Sequence, residues 1–430
     1  MRLLISHMKY WTAFPEDEGL EQTAMQLCGY LPEGESALKF GESPSGIVQV
    51  YDTEINDWSP VRRAKVQVIH FGRLLTAETN DLGKFSISRR FYAGTQVNVL
   101  FCNSKSCIRA MNTTDFGGII TLPTVLAIPA THFDGWRSAS NLDNMIIRFG
   151  SDNQVRLWAH IQNAVQDFYD FANQTGISTP PAGFNIYAHW NNNRRDGATL
   201  MFGHFNDPFS IRHQTLAWLS EINKVINVDI LTAIGLRMPD VIIEYDAGDT
   251  IRSEELNHMV YHELGHTSHY NRVGVGFWAT LVSAEAGNIL TGNNPPYGTR
   301  GDATAPLIGM CEAWAETIAD EFLLRRYNTG TEQERESPWL DEPVADRCIP
   351  YGIFYDMTDG IGADERGDQN TINRNRGLNF NDNVTGFSLR QINTILNMTV
   401  TTPQVFISQF QILYSSNNAN LNALLNSYGQ

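Results

Sequence analysis

Apolar and polar residues alternate along the chain from about residue 46 to residue 101. The alternating apolar positions are Val48 and Val50, then Ala64, Val66 and Val68, and later Val97, Val99 and Phe101, with a short strand at Phe85–Ile87. A period of two is typical of strands that bury one face, because successive side chains point to opposite sides. Turns, including a polar one from Asp57 to Pro60, separate the runs. The pattern predicts a small antiparallel β-sandwich over residues 45–125, after an N-terminal segment, 1–44, without strong periodicity.

The period shifts towards 3.6 residues beyond about residue 130, which is typical of helices. The first predicted helix has Leu157, Ile161, Val165 and Phe168 on one face. Two strands and six more helices are expected after it: strands Phe184–Tyr187 and Val241–Tyr245, and helices 216–226, 253–270, 276–290, 307–327, 388–398 and 403–414. Ser253 is the expected N-cap of the helix over 253–270. The chain is therefore predicted to be multidomain, with an α+β domain over 126–430 whose C-terminal third is mainly helical.

Composition and charge exclude several classes of protein. Of the 430 residues, 42% are apolar and 18% are charged, which is an ordinary globular composition. The formal net charge of −16 repels phosphate groups, so we expect no nucleic-acid partner. No run approaches the roughly 20 consecutive apolar residues that a membrane span needs, so we expect no membrane span.

One segment of the predicted helix over 253–270 carries a clear chemical pattern, His262-Glu263-Leu264-Gly265-His266. The two histidines lie one turn apart on the same face, so both imidazoles can reach one Zn²⁺ at about 2.0–2.1 Å. Glu263 lies one step round the helix, where its carboxylate can take a proton from a metal-bound water. Gly265 removes a side chain where a neighbouring element can pass closely, at a cost to the helix of about 1 kcal/mol.

This segment resembles the HExxH motif of the zincin metallopeptidases, and the resemblance covers about residues 240–325. It implies zinc-dependent hydrolysis of a peptide or protein substrate, with Glu263 activating a metal-bound water. It also implies that Val241–Tyr245 is an edge strand that pairs with an extended substrate. The alternative from another class is a non-catalytic surface or binding protein with a structural or degenerate zinc site. The intact Glu263 favours catalysis, because a structural site has no use for a base beside an open position.

A third protein ligand would complete the site and leave one position for water. The metzincin arrangement would place a histidine at position 272, where this chain has Arg272. His269 lies a full turn beyond His266, so we expect it to line the cleft or to contact a ligand. The gluzincin type takes a glutamate from a later helix instead, and three candidates compete: Glu285, Glu312 and Glu316.

Helical geometry separates these candidates. At about 100° per residue, the apolar face of the helix over 307–327 lies nearest to Glu312, further from Glu316 and nearly opposite Asp320. A ligand must face inward, so Glu312 is the preferred third ligand and Glu316 is expected to contact a ligand one turn on. Small residues after Glu312 would let its helix approach the motif helix closely. Glu285, 19 positions after His266, stays the main alternative.

The N-terminal module resembles the transthyretin-like or carboxypeptidase-regulatory-like sandwiches that accompany extracytoplasmic bacterial enzymes, over about residues 45–110. Cys102 and Cys107 flank a four-residue polar loop and can close a local disulfide, with two free thiols as the alternative. The first residues contain no apolar run of the ~7–15 residues that a signal peptide needs. The module and the cysteine pair nevertheless favour an extracytoplasmic location, secreted or surface-anchored.

Two further sets of residues are weaker candidates. Tyr351, Tyr355 and His269 are candidates to stabilise an oxyanion, and the sequence does not rank them. The acidic segment 356–365 has the oxygen ligands that Ca²⁺ prefers, but it lacks the EF-hand pattern, so a solvated loop is the preferred interpretation.

Overall fold

The structure, a computed structural model, describes residues 42–70, 73–91, 94–111, 128–150, 154–191, 195–204, 239–246, 250–290, 297–298, 302–328, 349–350, 352–358, 384, 386–414 and 418–428. The chain divides into two compact units. The first contains Met1–Asn103 and Pro129–Asn163, and the second contains Ser104–Ile128 and Ala164–Gln430. This division differs from the predicted boundary at residue 125, because strands after residue 130 pair with strands of the first unit. The predicted segment 1–44 lies almost wholly outside the described residues.

Strands are concentrated in the N-terminal part of the chain and helices in the C-terminal part, which makes a mixed α+β protein. The described strands are β1 (Ser45–Asp52), β2 (Asp57–Pro60), β3 (Lys65–His70), β4 (Arg73–Glu78), β5 (Lys84–Ser86), β6 (Thr95–Leu100), β7 (Ser106–Met111), β8 (Ile128–Pro129), β9 (Thr131–Arg137), β10 (Met145–Phe149), β11 (Phe184–Asn191), β12 (Asp196–Thr199) and β13 (Val241–Asp246).

The first unit contains two sheets. One has the order β10-β1-β2, with β5 also paired to β1, and the other has the order β4-β3-β6-β9. β1 and β10 run parallel, with Gly46 opposite Met145, whereas the other pairs are antiparallel. The strand β10 lies beyond the range 45–125 for which an antiparallel arrangement was predicted. Within that range the prediction is wrong at β7, which pairs parallel with β11. The prediction of a turn at Asp57–Pro60 is also wrong, because β2 pairs there with β1.

The apolar residues that alternate along the sequence are buried in these sheets. Val48 and Val50 of β1 are fully buried, and so are Val66, Val68, Val97 and Val99 of the second sheet. The ring of Phe101, just after β6, lies 5.9 Å from the ring of Phe149 in β10, so the apolar faces of the two sheets meet. Each such buried side chain contributes about 1.5–3 kcal/mol to stability. Cys102 and Cys107 are both disulfide-bonded.

The second unit contains a sheet of order β12-β13-β11-β7-β8. β11 runs parallel to β7 and to β13, and β12 runs antiparallel to β13. Every residue of Val241–Tyr245 is buried, as expected for a strand covered on both faces. The prediction that this strand is an edge strand is therefore wrong. In the described part of the sheet, the short strand β12 lies at that end instead.

The described α-helices are α1 (Gln154–Thr175), α2 (Ser253–Val273), α3 (Val275–Leu290), α4 (Ala305–Tyr327), α5 (Ile353–Thr358), α6 (Leu389–Ile395), α7 (Pro403–Tyr414) and α8 (Asn418–Ser427). Six of the predicted helices are confirmed, and the one over 216–226 lies outside the described residues. Ser253 is the first residue of α2 and Arg252 takes the N-cap position, so the predicted cap is wrong by one residue. Among the described residues, no helix combines the length and apolar character of a membrane span.

Close packing of α2 against α4 positions the residues of the predicted site. A Cβ added at Gly265 would lie 3.0 Å from the Cα of Ala315 and 3.3 Å from its carbonyl oxygen. Ala313 and Ala315 of α4 are fully buried. The small residues therefore let the two backbones approach each other, as their positions in the sequence predicted.

Candidate metal centre

Two imidazoles of α2 and one carboxylate of α4 converge at the contact between these helices. The Nε2 atoms of His262 and His266 lie 3.2 Å apart. Glu312 Oε2 lies 3.3 Å from His262 Nε2, and Glu312 Oε1 lies 3.3 Å from His266 Nε2. Glu312 is 4% exposed, so it faces inward as its helical position predicted. These three residues form a group that can hold a metal ion.

Glu316 lies one turn after Glu312 and contacts the outer side of the first histidine. Its Oε2 accepts a hydrogen bond from His262 Nδ1 at 2.9 Å. With a proton on Nδ1 for this hydrogen bond, Nε2, which lies towards Glu312 and His266, is the nitrogen of His262 that can bind a metal ion. Glu316 therefore orients a member of the metal-binding group and does not belong to that group.

His258 extends the contact between α2 and α4 by a further turn. Its Nε2 lies 3.4 Å from Glu316 Oε1 and 3.2 Å from Asp320 Oδ1. His258 is not among the residues predicted from the sequence, although its position four residues before His262 places it on the same helical face. Asp320, expected to point away from the packed face, contacts α2 here because α2 continues alongside α4 beyond the motif.

The carboxylates and imidazoles of this region shift one another's pKa values, because each favours the charged form of the other. Burial alone would raise the pKa of Glu312, but His266 and His262 outweigh burial and hold the pKa at about 2. The pKa of Glu316 is lowered for the same reason, by His258 and His262. Burial lowers the pKa of His258, but Glu316 and Asp320 raise it to about 10. Both glutamates are therefore ionised at neutral pH, which is the state that binds a metal ion.

Glu263 lies beside the metal-binding group and contacts a different element. Its Oε2 accepts a hydrogen bond from Thr199 Oγ1 of β12 at 2.7 Å. The side chain is 6% exposed. Burial raises the pKa of Glu263, and the nearby imidazoles of His262 and His266 oppose that rise. Thr199 is not among the residues predicted from the sequence. No pattern along the chain predicts that a short strand contacts a helix more than fifty residues away.

Aromatic side chains of α3 pack beside His266 and His269. The ring of Trp278 lies 6.0 Å from that of His266, and the ring of Phe277 lies 5.4 Å from that of His269. His269 is 1% exposed, and neither of its ring nitrogens has a hydrogen-bond partner in the described part of the chain. Burial lowers its pKa to about 3, with a further contribution from His266. His269 therefore packs as a neutral ring against these side chains and does not join the metal-binding group.

Glu285, the alternative third ligand, lies on α3, where the charges of other carboxylates affect its pKa. Burial and the charges of Glu312 and Glu263 raise its pKa well above the ordinary value. A protonated carboxyl is a poor metal ligand, and Glu285 is absent from the metal-binding group among the described residues.

The weaker candidates of the sequence lie partly outside the described residues. Tyr351 and the acidic residues 359–365 lie outside the described residues, and Tyr355 lies on α5. The Asp356 carboxylate accepts a hydrogen bond from the Tyr428 hydroxyl at 2.5 Å, which is a structural contact. The chain matches no family model, no curated protein and no solved structure. What the site does therefore has to be inferred from its own geometry.

Proposed function

We propose that this protein is a zinc-dependent peptide hydrolase of the gluzincin type. The observation that carries the proposal is the convergence of His262, His266 and Glu312, with the carboxylate of Glu263 beside them. Two imidazoles and one carboxylate form a donor set of catalytic zinc sites, which keep one position open for reactants.

Zinc fits these residues in both donor chemistry and spacing. Ligands at about 2.0–2.1 Å from a tetrahedral ion lie about 3.3–3.4 Å from one another. The two imidazole nitrogens lie 3.2 Å apart, and each lies 3.3 Å from a different carboxylate oxygen of Glu312. When bound, zinc supplies a Lewis acid that polarises a carbonyl group and makes water a nucleophile at neutral pH.

Glu263 is the residue that would transfer a proton from the attacking water to the leaving amine. Its pKa is raised by burial, which makes the carboxylate a stronger base than an exposed glutamate. In peptide hydrolysis, Glu263 accepts a proton from the attacking water as the new C–O bond forms. It then gives that proton to the nitrogen of the leaving amine as the C–N bond breaks.

The end strand β12 is the proposed place for the substrate backbone. β12 contacts Glu263 through Thr199 and is an end strand of the sheet that the described residues form, and an end strand can add an extended peptide by main-chain hydrogen bonds. A peptide paired with β12 would pass close to the base. This role, which the sequence assigned to Val241–Tyr245, is therefore transferred to β12.

The metal content and activity of three variants test this proposal. Zinc-loaded wild type and Glu263→Gln should each hold one zinc per chain, whereas Glu312→Gln should lose the metal. Hydrolysis of labelled casein and of a quenched-fluorescent peptide library should fall at least about 100-fold in Glu263→Gln. Glu321→Gln is the matched control, because Glu321 lies on α4 but pairs with Arg325 at the surface.

Each result has a clear consequence for the proposal. Turnover by Glu263→Gln at the wild-type rate would contradict the assigned base. A wild type that holds zinc at His262 and His266 but hydrolyses no peptide would instead support the non-catalytic binding protein.

A further inference from the structure

Thr199 places its hydroxyl between two acceptors of Glu263. Thr199 Oγ1 lies 2.7 Å from the carboxylate Oε2 and 2.9 Å from the backbone carbonyl oxygen of Glu263. That carbonyl already accepts the Thr267 hydroxyl at 2.8 Å, and as part of α2 it also accepts a backbone N–H. The single proton of the Thr199 hydroxyl is therefore directed to the carboxylate.

Gly197, two residues earlier in β12, contacts the other side of the same carboxylate. A Cβ built on Gly197 would overlap Glu263 Oε1 and would lie 2.8 Å from the Cδ and Cγ atoms of Glu263. Residues i and i+2 of a strand face the same side, so Gly197 and Thr199 together face Glu263. Any side chain larger than hydrogen at position 197 would force Glu263 to move.

We propose that β12 positions the catalytic base, with Thr199 holding one carboxylate oxygen and Gly197 leaving space for the other. Thr199 is then a positioning residue that acts through Glu263. This inference rests on the proposed hydrolase function and adds one consequence to it. The strand that would pair with the substrate backbone also sets the orientation of the base. The same strand would therefore position both the substrate and the base.

Matched threonine and glycine variants test this role. Thr199→Val keeps the shape of the side chain and removes the hydroxyl, whereas Thr199→Ser keeps the hydroxyl. Thr267→Val is the control, because it removes a hydroxyl that contacts only the backbone of Glu263. Gly197→Ala displaces Glu263 without changing Thr199. All variants are assayed zinc-loaded, for zinc content, kcat and KM on the same peptide.

The expected results separate positioning from a general loss of structure. In Thr199→Val and Gly197→Ala, kcat should fall about 10- to 100-fold, because general-base catalysis depends on the geometry of the base. KM and the zinc content should stay at wild-type values. Thr199→Ser and Thr267→Val should keep kcat within about threefold of wild type. A Thr199→Val enzyme with wild-type kcat would overturn the proposal, and so would a Thr199→Ser enzyme as slow as Thr199→Val.

Crystal structures of the zinc-loaded wild type and of Thr199→Val give a readout that does not depend on activity. The Glu263 carboxylate should lie against Thr199 and Gly197 in the wild type and should be displaced in the variant. An unchanged Glu263 in Thr199→Val would overturn the positioning role. If the wild type hydrolyses no peptide but Glu263 is displaced in the variant, the hydrolase proposal fails while the positioning contact stands.

Discussion

Glu316 contacts two histidines of α2, His262 and His258. One carboxylate oxygen accepts from His262 Nδ1, and the other lies 3.4 Å from His258 Nε2. Asp320 Oδ1 lies 3.2 Å from the same nitrogen of His258. A histidine that binds metal through one nitrogen is oriented by whatever its other nitrogen contacts. Glu316 and its own partners therefore control the direction of the His262 lone pair.

We expect Glu316→Ala to weaken zinc binding by about 10- to 100-fold, because His262 loses the acceptor that fixes its tautomer and ring orientation. Competition with a chromophoric chelator measures the change. Glu321→Ala, on the same helix but at the surface, should bind zinc like the wild type. Equal zinc affinity in Glu316→Ala and in the wild type would show that this hydrogen bond has no role in metal binding.

The residues of the candidate site differ in how far the sequence could predict them. His262, Glu263 and His266 lie in one helix, where spacing alone determines their relative positions. Glu312 could be preferred because helical periodicity shows which face is buried. Thr199 and His258 could not be found in this way. Thr199 depends on where β12 lies beside α2, and His258 on the line along which α4 crosses α2, and neither is encoded in local periodicity.

At the scale of elements, the close approach of α2 and α4 is a condition for the site. We expect Gly265→Ala to lower the free energy of unfolding by about 1–3 kcal/mol, because the added methyl group would lie only 3.0 Å from the Cα of Ala315 and would push the two backbones apart. The same change should weaken zinc binding, since Glu312 lies on the displaced helix. Chemical denaturation and metal titration measure the two effects.

Gly287→Ala is the matched control for Gly265→Ala. Gly287 is an exposed helical glycine of α3, and no atom lies within 4 Å of a Cβ added there. Alanine should therefore stabilise this helix by up to about 1 kcal/mol. If both variants changed stability equally, the cost at Gly265 would not come from helix packing.

Asp240 joins three elements of the second unit and makes a stability contribution that depends on pH. Its carboxylate accepts from the backbone N–H groups of Asn185 and Gly203 and lies 3.0 Å from His204 Nδ1. The Asp240 side chain raises the pKa of His204, against the effect of burial. Because the folded pKa is above the unfolded value of about 6.5, the contribution is complete below pH ~6.5 and is lost as the pH rises through the folded pKa.

We expect His204→Gln to lower the free energy of unfolding by about 0.5–1 kcal/mol near pH 5.5, and by less near pH 9. Urea denaturation at the two pH values measures the difference. A cost of the same size at both pH values would mean that packing, and not the charge of His204, accounts for the effect.

The prediction for β13 was wrong for a physical reason that lies at this scale. Four of the five residues of Val241–Tyr245 are apolar and the exception is Glu244, a nearly continuous apolar run that indicates burial on both faces and therefore an interior strand. β12 has only four residues and includes a glycine, so it lacks the apolar alternation that identifies a strand. The strand that matters most for the proposed substrate site is thus the one with the weakest sequence signal.

At the scale of the whole molecule, pairing between distant segments limits what the sequence could predict. β1 pairs with β10 and β6 pairs with β9, although part of the second unit lies between them along the chain. Periodicity predicts that a strand exists and which face it buries, but it does not predict the partner or its direction. The units of the structure interleave along the chain, whereas the predicted domains follow one another with a single boundary at residue 125.

The three residues proposed to bind zinc belong to the second unit, so metal removal should act on the stability of that unit. A ligand that binds only the folded state stabilises it by about 4 kcal/mol when its free concentration is roughly 1,000 times Kd. We therefore expect EDTA to lower the unfolding temperature of the wild type in calorimetry. Glu312→Gln should unfold at one temperature with or without EDTA, because it has already lost a ligand. An equal shift in the wild type and in Glu312→Gln would show that EDTA acts elsewhere than at His262, His266 and Glu312.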